Sequence, residues 1–364
     1  MIFRDTYIEN SLPLADSGER TVDINVIDPI TCLWVELRAT NGANRNVYNP
    51  VHGCIDTIEI IDGSTVLYSM DGKQALALAC AQLGYMPQQR FSALGGDPAA
   101  ACLPILFGRY IGDREFAFDP AKFVNPQLRI KWNLANVRAI GATSYVASSS
   151  RLTVVARVME GAAAPRALLM AKENYTWVTA AGTEYIDLPR DYPYVGLLYN
   201  SILAAHHPYE IVSNMRLNCD SGKVIPFDLE VENLLYLMNL TQPKLEYRES
   251  AHVVDGETLY LYLEELEDVA VVAETGAADT VVGYQNYEYG SQICRVHIAG
   301  VAGVTNVGVH CHGYCPFGYI YIPFGDPKIP SDWFQSRSFG SVRLEATGVH
   351  AGTAALCLVQ ERPY

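Results

Sequence analysis

The chain has 364 residues, of which 49% are apolar and only 18% are charged. This composition provides material for large cores and excludes an intrinsically disordered chain, which would be poorer in apolar residues. Residues 1–162 carry 14 basic and 16 acidic side chains, and residues 163–364 carry 12 and 24. Because neither half has the clustered lysines and arginines that neutralise phosphates, direct sequence-specific binding to nucleic acid is not expected.

Nine cysteines are spread along the chain, at positions 32, 54, 80, 102, 219, 294, 311, 315 and 357. Their number is odd and most lie inside apolar runs, so we predict buried, reduced thiols in a protein that folds in a reducing cytoplasm. The N-terminus lacks the pattern of a signal peptide. No run approaches the 18 or so apolar residues that a membrane span needs.

Most of the chain is predicted to form strands. The clearest is 127–134, where Leu128, Ile130 and Trp132 alternate with polar residues, as in a half-buried strand. The other predicted strands are, in chain order, 21–26, 32–39, 55–61, 66–69, 151–158, 194–202, 211–217, 224–227, 258–263, 319–324, 341–346 and 354–359. Many short strands and few helices indicate sandwiches or barrels.

Two helices interrupt this pattern. Asp71 followed by Gln74 resembles a capping box, and Gly84 is a suitable C-terminal stop for a helix between them. The second helix is predicted to run from about Asp228, as its N-cap, through Leu240, with a proline shortly afterwards.

The two helices lie in matching surroundings, which indicates an internal duplication. A glycine turn, a short strand and a helix follow one another at 62–83 and again at 220–240. Later, an apolar run ending in Phe-Gly occurs at 105–108 and at 320–325. We therefore predict two β domains, residues 1–162 and 163–364, divided at a stretch of small residues that directly follows a strand.

The second half carries an insertion at about 246–310 that is rich in acidic residues. Its acidic positions are 246, 249, 255, 257, 264, 265, 267, 268, 274, 279 and 288. Because isolated charges are costly to bury, we predict that this insertion projects from the surface of the second domain.

Three passages, 58–83, 105–132 and 319–346, are similar to passages of the double jelly-roll major capsid proteins of tailless icosahedral DNA viruses, bacteriophages among them. The resemblance implies an all-β fold of two tandem eight-stranded jelly rolls, each with a short helix. It also implies that the insertion is a loop tower on the outer side of a virion shell.

The resemblance further implies a structural protein that works by packing. Copies of the chain would form a homotrimer with a pseudo-hexagonal outline, which tiles an icosahedral capsid with neighbouring capsomers and with penton or minor capsid proteins. The shell would assemble in the host cytoplasm around the genome, commonly with an internal lipid membrane. One departure concerns residues 1–10, whose weak amphipathicity does not favour contact with a membrane.

The sharpest candidate for a site is 310–315, where two histidines and two cysteines fall within six residues and could ligate zinc. On a strand, His310 and His312 would share one face without Cys311, and no second pair of ligands follows. We therefore favour a strand with buried thiols over a metal site. Catalytic motifs are absent, and we predict no catalytic, cofactor or metal site.

Other polar patterns have simpler interpretations. The pair His206-His207 could act as a pH switch, but an exposed loop is favoured. The acidic run 264–268 lacks the spacing of a calcium loop, which favours a solvated face. Residues 174–176 and 239–241 match glycosylation acceptors, without a secretion signal to support their use.

Two other functions stay open at the level of sequence. One is a two-domain β-sandwich that binds or cleaves carbohydrate, because any two acidic residues can converge in space. The other is a spike protein of the same kind of particle, which differs from a major capsid protein in its copy number.

Overall fold

A computed structural model of the chain describes residues 2–42, 51–90, 96–135, 145–203, 206–254, 258–263, 268–274, 281–288, 291–298, 304–314 and 316–364. Between residues 246 and 312 the description is of the backbone alone. Strands dominate throughout these residues, and their pairing defines the architecture.

The first eight strands form one sandwich. Strands β1 to β8 are Ile2–Pro13, Ser17–Asp23, Ile30–Thr40, Ile55–Asp62, Thr65–Met70, Pro98–Leu106, Pro126–Asn133 and Arg151–Glu160, and helix α1, Gly72–Leu83, follows β5. One antiparallel sheet has the order β1-β8-β3-β6, and its partner has the order β2-β7-β4-β5. Short 3₁₀ turns lie at Val51–Cys54, Pro120–Lys122 and Ala147–Ser149.

The remaining strands form a second sandwich and the insertion. Strands β9 to β13 are Ala167–Val178, Gly182–Asp187, Tyr194–Ile202, Val212–Cys219 and Asp228–Glu230, and β20 to β22 are Ile320–Pro323, Val342–Gly348 and Thr353–Pro363. Helix α2 is Pro208–Ile211 and α3, after β13, is Val231–Thr241. Further 3₁₀ turns lie at Pro316–Gly318, Pro330–Asp332 and Ser336–Ser338.

The second sandwich repeats the strand order of the first. If the insertion strands are left out, β9-β22-β11-β20 matches β1-β8-β3-β6, and β10-β21-β12-β13 matches β2-β7-β4-β5. A parallel pairing of β5 with β9, with Tyr68 opposite Ala171 and Ser69 opposite Lys172, joins two of these sheets into one of eight strands. The predicted fold class, all-β with two tandem eight-stranded jelly rolls, is confirmed.

The insertion between α3 and β20, expected as a loop tower, is itself built from strands, and the strand predicted at 258–263 is confirmed. Strands β14 to β19 are Leu245–Val254, Thr258–Leu263, Asp268–Glu274, Val281–Glu288, Ser291–Ile298 and Val304–Gly313. They form two three-stranded antiparallel sheets, β14-β19-β16 and β15-β18-β17. Backbone pairing satisfies peptide groups of this acidic stretch, between neighbouring segments in β17 and β18 and between segments far apart in sequence in β14 and β19.

The core of each sandwich follows from alternation along its strands. In β3, Leu33, Val35 and Leu37 are fully buried, whereas Trp34 and, after Leu37, Arg38 point outward. Burying one such aliphatic side chain contributes about 1.5–3 kcal/mol. The large apolar fraction of the sequence is thus used in two sandwich cores and the contact between them.

The capping box predicted for α1 is confirmed. The Asp71 carboxylate accepts a hydrogen bond from the Gln74 backbone N–H at 2.7 Å, and the Gln74 side chain accepts one from the Asp71 N–H at 3.0 Å. Gly84 ends the helix in the left-handed conformation, with φ of 78°. These contacts satisfy peptide groups that a helix end leaves without intrahelical partners.

The start of α3 differs from the prediction. Its N-cap is Glu230, because Asp228 belongs to β13, which pairs with β12. The strand predicted at 224–227 is absent, and the strand of this region, β13, begins four residues after the predicted start. Pro226 has no N–H to donate to a sheet, and Val224 makes only an isolated bridge to Cys219.

Other boundaries moved or were missed. The strand predicted at 21–26 is β2, Ser17–Asp23, because its register is set by pairing with β7. Strand β1 was not predicted, since Arg4, Asp5 and Glu9 interrupt its apolar pattern and almost none of it is buried. The cysteines described with their side chains are free thiols, and all except the half-buried Cys102 are buried.

Within the described residues, the helices are too short or too polar to cross a bilayer.

Candidate assembly surfaces

The structure places the candidate His/Cys segment on β19, the central strand of the three-stranded sheet β14-β19-β16 of the insertion. His310, Cys311 and His312 belong to β19, as the strand interpretation predicts, and Cys315 lies outside the described residues. Among the described residues there is no group of three or more potential metal ligands. Of the acidic run, 264–267 lie outside the described residues and Asp268 begins β16.

The two adjacent histidines lie in the loop before α2, as expected, but they are less exposed than expected. Both are half-buried, and His207 is the N-cap of α2. The His207 backbone N–H donates to the Glu210 carboxylate at 2.7 Å, and the His206 ring lies 4.7 Å from that of His350. Burial lowers the pKa of His207, and the nearby Glu210 carboxylate opposes this shift.

The contact between the β1–β8 sandwich and the β9–β22 sandwich, which we call the seam, is organised around Phe116. This ring is fully buried, and the guanidinium carbons of Arg109 and Arg166 lie 4.7 and 4.6 Å from its centroid. The edge of Trp333 approaches it at 5.2 Å. Cation–π contacts of this kind contribute about 0.5–2 kcal/mol each, more as they lose water.

The same two arginines are held by carboxylates from both sandwiches. Arg109 pairs with Asp113 at 2.7 Å and with Glu115 at 2.8 Å, and Arg166 pairs with Glu361 at 2.8 Å. Burial alone would raise the pKa of Asp113, but hydrogen bonds from Arg109 and from backbone N–H groups hold it below its ordinary value. The charges in the seam are therefore partnered, as buried charges must be.

Helix α1 fills the rest of the seam. Most of its residues are buried, because one side covers its own sandwich and the other side lies on the second. The Gln74 side chain donates to the Glu173 carboxylate of β9, and Ala77 and Cys80 line a small cavity together with Leu198 of β11. A helix that is apolar on all sides is expected only where it is covered on all sides.

The outer face of the β1-β8-β3-β6 sheet, which we call the front face, carries several aromatic side chains that are exposed within the described chain. Phe3 and Tyr7 of β1 are exposed, and the Trp34 side chain is 48% exposed. A cleft of about 380 Å³ lies on this face, lined by Trp34, Cys102, Pro104, Val155 and the Asp5–Arg157 ion pair, among others. Exposed aromatic surface of this extent is typical of an interaction site.

Sequence reasoning did not find the residues of these surfaces. Trp34 was placed in a strand without an assigned face, and Phe116 and Arg166 were not singled out. The available signal was the excess of tyrosine over lysine, which indicates buried or interfacial surface without locating it.

The chain is similar in fold to proteins of known structure, at low sequence identity. No family model and no curated protein matches the sequence. The major capsid protein of bacteriophage PM2 superposes with a TM-score of 0.56 at 9% identity, covering 100% of this chain and 98% of that one.

Two other capsid structures agree with it. A chain of Sulfolobus turreted icosahedral virus gives a TM-score of 0.62 at 9% identity, covering 99% of this chain and 91% of that one. A chain of the PBCV-1 virus capsid gives 0.54 at 11% identity, with 99% and 93% covered. The likeness covers nearly the whole of each chain and so extends over both sandwiches. The chain therefore has the fold of the double jelly-roll major capsid proteins.

Proposed function

We propose that the chain is the major capsid protein of an icosahedral virus, located in the virion shell. The observation that carries the proposal is the repetition of one eight-stranded topology twice in a chain that is similar over its whole length to viral capsid proteins. Two similar units in one subunit allow a small ring of copies to present a nearly hexagonal outline, which tiles a surface.

The domain division at 162/163 and the outward tower form part of this proposal. Strand β8 ends at Glu160 and β9 begins at Ala167, and the strands on either side of this turn build separate sandwiches. The acidic insertion leaves the second sandwich between α3 and β20, which suits a projection into solvent.

The partners follow from the same proposal. Three copies would form the capsomer, and capsomers would contact one another and penton or minor capsid proteins, with assembly in the host cytoplasm. An internal membrane would be contacted by parts other than residues 1–10, because the amphipathicity of that segment is weak. The host receptor is not assigned.

The proposal includes the absence of catalysis. The close carboxylates of the seam, Asp113 and Glu115, are both paired with Arg109, and Glu115 is paired with Arg166 as well. Paired carboxylates of this kind serve cohesion rather than general acid–base chemistry. A screen of the purified chain against glycans should give neither hydrolysis nor binding by the sandwiches, and hydrolysis would favour the carbohydrate-active alternative.

Native mass spectrometry of the purified chain tests the assembly. We expect a trimer of the 40.1 kDa subunit, and shells or hexagonal arrays by electron microscopy at high protein concentration. A chain that stays monomeric at every concentration would overturn the proposal. In purified virions this chain should dominate the protein stain, and a minor band would indicate a spike protein instead.

A further inference from the structure

The two sandwiches differ in what covers their equivalent surfaces, and this difference identifies a surface for a second copy of the chain. In the seam, β5 and α1 of the first sandwich cover one edge and the outer face of the β9-β22-β11-β20 sheet. Within the described residues, the equivalent edge and face of the first sandwich, β1 and the front face, are left open.

The open strand edges match. Strand β5 of the first sandwich pairs with β9 of the second inside the chain. The counterpart of β5 in the second sandwich is β13, and the counterpart of β9 in the first sandwich is β1. Both β13 and β1 are edge strands of their sheets among the described residues. Edge strands present free N–H and C=O groups that another chain can satisfy.

The helices match in the same way. If the N-caps Asp71 and Glu230 are aligned, Ala77 of α1 corresponds to Tyr236 of α3, and Cys80 corresponds to Asn239. Ala77 and Cys80 are buried because they lie on the second sandwich. Tyr236 is 56% exposed and Asn239 is also exposed, so α3 carries an outer side without a covering surface in the described chain.

The sheet faces complete the correspondence. Leu198 and Trp34 occupy equivalent positions in the two sandwiches. Leu198 pairs with the fifth residue of β22, Cys357, and Trp34 pairs with the fifth residue of the equivalent strand β8, Val155. Leu198 lies under α1 and is fully buried, whereas its counterpart Trp34 is exposed beside the cleft of the front face.

The opposite strands agree with this assignment. Leu198 pairs with Tyr321 in β20, and Trp34 pairs with Pro104 in β6, so Tyr321 and Pro104 are equivalent. Two residues earlier in each strand region, Tyr319 is therefore equivalent to Cys102. Tyr319 lines the cavity under α1, and Cys102 lines the open cleft.

We propose that β13 and α3 of one copy dock on β1 and the front face of the next copy, repeating between chains the contact that the seam makes within one. The inference rests on the proposed function, because it assigns the surfaces through which the capsomer closes. Since two different surfaces meet, the interface is heterologous, and repeated addition forms a ring of three copies when the rotation between copies closes. Tyr236 and Leu240 of α3 supply apolar anchors for the cleft beside Trp34, which suits an interface centre.

Matched substitutions of exposed tyrosines test the interface. Tyr236→Glu places a charge in the proposed contact, and we expect native mass spectrometry to show monomer at a concentration where the unchanged chain is a trimer. The control is Tyr185→Glu on β10, which is 60% exposed and lies far from α3 in its sheet, and it should remain a trimer. Trp34→Glu, on the other side of the contact, should behave like Tyr236→Glu.

The outcomes separate this inference from the proposed function. If Tyr236→Glu and Trp34→Glu stay trimeric, the assigned surfaces are wrong while the capsid proposal stands. If the unchanged chain never forms a trimer, both fail. Circular dichroism of each variant should match the unchanged chain, because the altered side chains are exposed.

Cross-linking gives a second test that does not depend on weakening the assembly. Asn239→Cys places a thiol where Cys80 stands in the seam, and its proposed neighbour is the native Cys102 of the next copy. A short bismaleimide should then join chains into covalent dimers and trimers on a denaturing gel. The same variant with Cys102→Ser should lose these bands, and trimers without any inter-chain band in the first variant would overturn the assignment.

Discussion

At the scale of residues, the seam contains a histidine that is buried in its neutral form. His52 is fully buried, its ring lies 4.5 Å from that of Phe317 in the second sandwich, and burial, with the nearby Lys73 charge, holds its pKa well below the ordinary value. The folded protein therefore keeps this imidazole neutral, whereas the unfolded chain takes up a proton near pH 6.5.

This difference predicts a loss of stability in mild acid. Because the unfolded state binds the proton first, the free energy of unfolding should fall below about pH 6.5 by about 1.4 kcal/mol per pH unit, until the folded pKa is reached. His52→Gln should flatten this slope in urea unfolding measured between about pH 6.5 and 5. His350→Gln, at an exposed position, is the control, and equal slopes in His52→Gln and the unchanged chain would contradict the prediction.

At the scale of elements, the first residue of α1, Gly72, packs closely against the backbone of the preceding segment. A Cβ on Gly72 would stand 2.1 Å from the His52 carbonyl oxygen and 3.1 Å from the Ile55 Cβ. The glycine is thus required by a close approach between the helix and the chain before β4, and its φ is not in the left-handed region.

Gly72→Ala should therefore destabilise the protein despite the higher helix propensity of alanine. Propensity favours alanine by about 1 kcal/mol, but forced displacement of packed backbone costs about 1–3 kcal/mol or more. A lower midpoint in thermal unfolding is expected. Gly53→Ala is the matched control, since its Cβ would meet no atom within 4 Å, and an equal midpoint for the two variants would refute the clash.

At the scale of the whole molecule, the last residue ties the two sandwiches together. The Tyr364 hydroxyl donates to the Ala117 carbonyl at 2.5 Å and accepts from the Asp119 N–H at 2.7 Å, and its ring contacts Phe123 edge-on. Strand β22 thereby ends on the first sandwich after crossing the sheet of the second.

Removing this hydroxyl should weaken the seam. Tyr364→Phe keeps the ring and leaves two backbone groups without their partner, which costs about 1–3 kcal/mol of the free energy of unfolding in urea. Tyr185→Phe, at an exposed position, should change it little. An unchanged free energy for Tyr364→Phe would mean that water replaces the hydroxyl without loss.

The sequence by itself determined the elements whose signals are local. The alternation in 127–134 predicted β7, and the Asp71–Gln74 spacing with Gly84 predicted both ends of α1, because side-chain period and capping act within a few residues. The repeated turn–strand–helix pattern likewise predicted two β domains, and the resemblance to capsid proteins implied that each is a jelly roll.

Only the tertiary structure decided the rest. Strand β1 exists because β8 offers it a partner, and β14 and β19 exist because distant segments of the insertion pair. The sequence also did not determine whether residues that point away from a sandwich core are covered. Ala77 and Tyr236 lie at equivalent positions, and only Ala77 is buried, because it lies in the seam. Alternation tells which residues leave the core, and the packing of whole sheets decides what, if anything, covers them.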